Sequence, residues 1–120
     1  MTTRELQATV SERDGVAVID LAGELDSSAE AALNRAYDEA MRTGAAALTL
    51  NFESTNYINS TGIALIVGVL AQARANHVEV KAVGLSDHYR EIFEITRLAD
   101  FMTIADSDDP APSAGGGSDA

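Results

Sequence analysis

The sequence predicts a single α/β domain in which helices pack on a mixed β-sheet, and three observations predict it. Apolar residues alternate between a two-residue and a helical period from about residue 6 to residue 104. The first two extended runs are separated only by Asp14-Gly15, a dipeptide suited to a tight hairpin, so the opening pair should be antiparallel. The later runs are separated by helical segments, and strand-helix-strand units of that kind cross over right-handedly into a parallel sheet. A chain of 120 residues has room for one such core.

The elements follow in order. Leu6, Ala8 and Val10 alternate with Gln7, Thr9 and Ser11, the pattern of a strand with one wet face. Val16 to Ala22 is almost wholly apolar and reads as a more central strand, ended by Gly23. Ser27 with Glu30 three residues later is a capping-box pattern, after which Ala29, Leu33, Ala36, Tyr37 and Ala40 keep helical spacing until Gly44. Leu48, Leu50 and Phe52 mark a third strand, and Ile63, Ile66, Val67 and Leu70 mark the core face of a second helix. On that reading Leu65, Gly68, Val69, Gln72 and Asn76 fall on the other side, so Leu65 and Val69 are predicted to be exposed. Val78, Val80 and Ala82 give a fourth strand, Ser86 caps a third helix carrying Tyr89, Ile92 and Phe93, and Phe101 to Ile104 forms a short last strand. Beyond Ala105 the composition turns to Asp, Pro, Ser, Gly and Ala, too little apolar surface to offset chain entropy. The prediction is a domain over residues 1–105 and a disordered acidic tail over 106–120.

Composition narrows the function. The net charge is -11, of which Asp106, Asp108, Asp109 and Asp119 supply four negatives, so nucleic acid and anionic membrane surfaces are repelled and a protein or a cation is the expected partner. The absence of Cys removes disulfides, thiolate metal sites and cysteine nucleophiles. No apolar run approaches the ~20 residues that span a bilayer, and the N-terminus lacks a signal-peptide core, so no membrane insertion and a cytoplasmic location are expected. His77 and His88 have no partner at metal-ligand spacing, and Asp87, Glu91 and Glu94 read as a solvated face, so no metal is expected. There is no G-x-S-x-G elbow, phosphate-binding loop or G-x-G-x-x-G turn, and neither an enzyme nor a cofactor is predicted.

The most informative stretch is Tyr57-Ile58-Asn59-Ser60-Thr61-Gly62-Ile63-Ala64-Leu65, which places two hydroxyls and an amide at a helix start. Such a start exposes unpaired N–H groups that can donate to a capping oxygen of Asn59 or Ser60 and would equally stabilise an attached phosphate. Exposed Leu65 and Val69 beside Gly68 would extend this end into a docking surface. The plainer alternative is that the polar residues only cap the helix and the apolar ones are scattered surface side chains.

Ile58-Asn59-Ser60-Thr61-Gly62-Ile63 resembles the I-D-S-[ST]-G-L signature of STAS domains, especially the bacterial anti-sigma factor antagonists. Gly23-Glu24-Leu25-Asp26 resembles the family's G-x-[LI]-D, and Leu48-Thr49-Leu50-Asn51 its L-x-L-D, both at consistent spacing. The resemblance implies the STAS fold from residue 5 to about 104. It also implies a partner, an anti-sigma factor with serine kinase activity, that phosphorylates Ser60 and thereby releases itself until a phosphatase reverses the change. Thr61 is the fallback acceptor, and Asp26, Asn59, Ser60, Thr61, Gly62, Leu65, Gly68 and Val69 are the implied contact residues. Asn59 and Asn51 depart from the family's Asp, which removes two carboxylates near the hydroxyl and any acidic feature that a kinase or phosphatase reads there. STAS-like modules also serve as regulatory subunits of membrane transport systems or signalling scaffolds, and a small nucleotide-binding protein or enzyme built on the same helix start is a further alternative.

Overall fold

The computed structural model describes residues 5–105, so the tail predicted over 106–120 lies outside the described residues. Nine main elements follow one another: β1 (Gln7–Arg13), β2 (Val16–Leu25), α1 (Glu30–Arg42), β3 (Ala47–Asn51), β4 (Thr55–Ile58), α2 (Ser60–Ala75), β5 (Glu79–Val83), α3 (Asp87–Ile95) and β6 (Thr103–Ala105). Short 3-10 turns, Ser27–Ala29 and Leu98–Asp100, lead into α1 and out of α3.

The opening hairpin forms as predicted. Asp14 and Gly15 both have positive φ, 54° and 83°, the geometry that lets a two-residue turn follow the twist of its strands. β1 is antiparallel to β2, and every other pairing is parallel. The main sheet runs β1-β2-β3-β5-β6, with β4 paired to β2 beyond the end of β3. Because β2, β3, β5 and β6 step across the sheet in one direction, right-handed crossovers place α1, α2 and α3 on the same face. Burial agrees: Ala17, Ile19, Leu21, Leu48, Leu50, Val80 and Ala82, the alternate positions facing the helices, pack with Leu33, Tyr37, Ile66, Leu70 and Phe93 in one core. On the other face Thr9 and Asp20 are exposed, and Thr49 and Lys81 are half-buried.

Three expectations need correction. Gly23 does not end β2, which continues to Leu25; with φ of 115° it sits at a register shift, where the strand leaves β3 and takes up β4. Glycine tolerates that conformation, so it re-aims the strand instead of stopping it. Ser27 and Glu30 do not form a capping box. Asp26 supplies the cap one residue earlier, its carboxylate accepting from the Ser28 amide at 2.9 Å and the Ser28 hydroxyl at 2.6 Å, and a charged acceptor outcompetes a serine hydroxyl. The 3-10 turn then delivers Ala29, buried and without a side-chain cap, to the start of α1. Finally, β4 has no mark in the sequence, since only Ile58 of its four residues is buried and no alternation shows it. It forms because the Thr55 hydroxyl donates to the Leu21 carbonyl at 2.8 Å and the Gly23 amide to Ser54 O at 3.0 Å, which aligns the segment on β2.

Candidate functional site

The parallel strands β2 and β4 end side by side and feed the start of α2. The Asn59 amide donates to Leu25 O at 3.2 Å, and the Asn59 side-chain oxygen accepts from the Gly62 amide at 2.9 Å, which makes Asn59 the N-cap. The cap left open between Asn59 and Ser60 therefore belongs to Asn59, and an amide serves as well as a carboxylate in accepting that bond. Ser60 is the first residue of the helix, exposed, and among the described residues nothing hydrogen-bonds to its hydroxyl. Thr61 is exposed beside it.

Gly62 sets the rotation of the helix. A Cβ at this position would overlap the Leu25 carbonyl, so only glycine lets the first turn rest against the end of β2. The inward row then reads Gly62, Ile66, Val69, Leu70 and Ala73, spaced as one helical stripe. This corrects the predicted faces: Val69 is 2% exposed in the core, whereas Val67, assigned to the core, is 45% exposed. Leu65 and Ile63 are half-buried against the core. The periodicity misled because the helix is apolar on nearly every side, and the informative residues were the small inward ones, Gly62 and Ala73. Ser60, Thr61, Ala64, Val67, Gly68 and Ala71 form the exposed row, and a Cβ on Gly68 would meet nothing within 4 Å.

Neighbouring loops bring further groups to this end of the sheet. Tyr57, 46% exposed, pairs in register with half-buried Glu24. Asp26 is half-buried, and the Ser28 hydroxyl and amide hold its carboxylate below its ordinary value. Asn51 donates to Asp20 at 2.8 Å and accepts from the Glu53 amide at 3.0 Å, so its side chain is occupied in tying β3 to β2. The phenol of Tyr89 accepts from the Ile58 amide at 3.0 Å. Tyr57, Val67 and Tyr89 are not among the contact residues the sequence implies; Val67 and Tyr89 read there only as helix positions. His77 lies exposed after α2, and His88 lies exposed on α3 with its ring 4.9 Å from that of Tyr89. Among the described residues no three His, Cys, Asp or Glu are grouped to hold a metal ion, and no helix is long and apolar enough to cross a membrane.

A family model described as "Mlab, STAS domain" matches residues 8–104. The chain belongs to the STAS family. An anti-sigma-B factor antagonist of Staphylococcus aureus (strain NCTC 8325 / PS 47) is 33% identical over 86 residues, covering 72% of this chain and 80% of that protein. The anti-sigma-B factor antagonist of Listeria monocytogenes is 30% identical over 96 residues, covering 79% and 84%. Among solved structures, the anti-sigma factor antagonist SpoIIAA in its unphosphorylated form superposes with a TM-score of 0.66 at 23% identity, over 87% of this chain and 90% of that one. An anti-sigma factor antagonist from Mycobacterium paratuberculosis gives 0.69 at 20% identity, over 92% and 91%. These likenesses establish the STAS fold for the mixed sheet and its three helices.

Proposed function

We propose that this STAS domain is an anti-sigma factor antagonist, a binding protein rather than an enzyme, which docks an anti-sigma factor through the Ser60 end and is switched off by phosphorylation of Ser60. One observation carries the reading: Ser60 points outward with its hydroxyl unengaged, while Asn59 alone carries the helix cap. A phosphate added there breaks no internal bond. The helix N-terminus favours the new negative charge, so the modified domain stays folded. The exposed row of α2 that starts at Ser60 suits a protein partner, because Ala64, Val67 and Gly68 leave it apolar.

The energetics suffice for a switch. Phosphorylation adds about -1.5 to -2 charges. A hundredfold loss of affinity needs only about 2.8 kcal/mol, and an uncompensated charge inside an interface costs about 3–5 kcal/mol. The named relatives are antagonists of anti-sigma factors, and SpoIIAA is solved in a phosphorylated as well as an unphosphorylated form. In this reading the anti-sigma factor is itself the serine kinase, a phosphatase resets the switch, and Thr61 is the second acceptor. Contact residues are Asp26, Asn59, Ser60, Thr61, Val67, Gly68 and the accessible part of Leu65, whereas Val69 is buried in the core and Gly62 acts by packing.

The test is titration of the purified chain with an anti-sigma kinase, with and without ATP. Wild type should bind and acquire one phosphate, Ser60→Ala should bind without acquiring it, and Ser60→Asp should bind at least about a hundredfold more weakly. Equal binding by wild type and Ser60→Asp would refute the reading.

A further inference from the structure

We propose that Tyr89, on α3, is a positioning residue that holds the Ser60 loop in its docking geometry. The need for it comes from the edge of β4. In the parallel pairing with β2 the Asn59 amide donates to Leu25 O, so the preceding amide, that of Ile58, points away from β2. β4 has no strand on that side among the described residues. The Ile58 side chain is buried, and an amide left unpaired at its back would cost free energy. The Tyr89 phenol supplies the missing acceptor at 3.0 Å, across 31 residues of sequence.

One turn further along α3, the Phe93 ring packs edge-on against Phe52 with centroids 5.8 Å apart. Phe52 directly follows β3, and Ile58 is the last residue of β4. α3 therefore grips both ends of the segment that delivers Asn59 and Ser60. The grip itself is braced, because Ser86 caps α3 on the Tyr89 amide at 3.3 Å and the His88 ring lies against the Tyr89 ring. The Tyr89 phenol is bonded to the Ile58 amide, two residues before Ser60, so its action on the docking end is indirect.

Tyr89→Phe removes one oxygen and keeps the ring. Amide hydrogen exchange on the full chain tests the clamp without any partner. The Ile58 and Gly62 amides should exchange about tenfold faster in the variant, while those of Leu48, Leu50 and Val80 change less than about twofold. Phe93→Leu serves as the contrast, since a cavity in the core should speed all these amides together. Unchanged protection at Ile58, or uniform acceleration in Tyr89→Phe, would overturn the proposal.

The second arm rests on the antagonist reading. Affinity of folded Tyr89→Phe for the anti-sigma factor should fall about tenfold, equivalent to about 1.4 kcal/mol. Full affinity despite an exposed Ile58 amide would overturn the positioning role. Failure of the wild type to bind would instead count against the antagonist reading, and the exchange pattern would decide the clamp by itself.

Discussion

At the residue scale the two glycines of α2 are the most instructive pair, because the same side chain is present for opposite reasons. Gly62 is required by the fold, as a Cβ would drive into the Leu25 carbonyl. Gly62→Ala should destabilise the domain by about 1–3 kcal/mol, the range for forcing atoms into a packed site, read as a lower denaturation midpoint. Gly68 has no such contact, and glycine within a helix costs about 1 kcal/mol relative to alanine, so the fold alone does not explain it. Gly68→Ala should raise the melting temperature yet weaken anti-sigma factor binding; a rise with unchanged binding would remove Gly68 from the interface. Asp26 adds a pH dependence. Its folded pKa lies below the ordinary 3.8 because Ser28 donates two hydrogen bonds to the carboxylate, so its stabilisation is complete above that value and is lost as pH falls through the lower folded one. The stability gap between wild type and Asp26→Ala should therefore be constant near neutrality and narrow below about pH 3.8.

At the element scale, what could be read in advance tracks how one-sided each element is. β2, β3, β5 and α1 have one wet and one dry face, or a dry run flanked by turn residues, and each lies within two or three residues of its expected position. α2 was located but turned the wrong way, because its apolar residues surround it and only the close approach of Gly62 to β2, a tertiary fact, chooses the inward side. β4 escaped because hydrogen bonds to β2, not burial of its own side chains, define it. For the same reason the Ser60 loop was recognisable from Ile58 to Gly62, while its support by Tyr89 was not. Gly23 is the hinge of this arrangement, and at a φ of 115° any other side chain is strained. Gly23→Val should cost about 1–2 kcal/mol, and it should loosen β4 and the Ser60 loop before the main sheet, as amide exchange of Tyr57 and Ile58 against Leu48 and Leu50 would show.

At the scale of the whole molecule, the core and the switch occupy different places. All three helices lie on one face of the sheet and share one apolar core, whereas Ser60, Tyr57 and Asp26 gather where β2 and β4 end. A charge placed at Ser60 thus meets solvent and the N-terminus of a 16-residue helix, not the core. Ser60→Asp should keep or slightly raise the melting temperature, since a carboxylate in the first turn contributes about 0.3–1 kcal/mol, while affinity for the anti-sigma factor collapses. Calorimetric titration beside thermal denaturation separates the two effects. Aspartate brings one charge where a phosphoserine brings about 1.5–2, so the loss of affinity in the variant is a lower bound on that of the modified protein, and the gain in stability is one too. If stability and binding fell together, the Ser60 hydroxyl would be serving the fold, and an exposed, unbonded side chain could not be the switch.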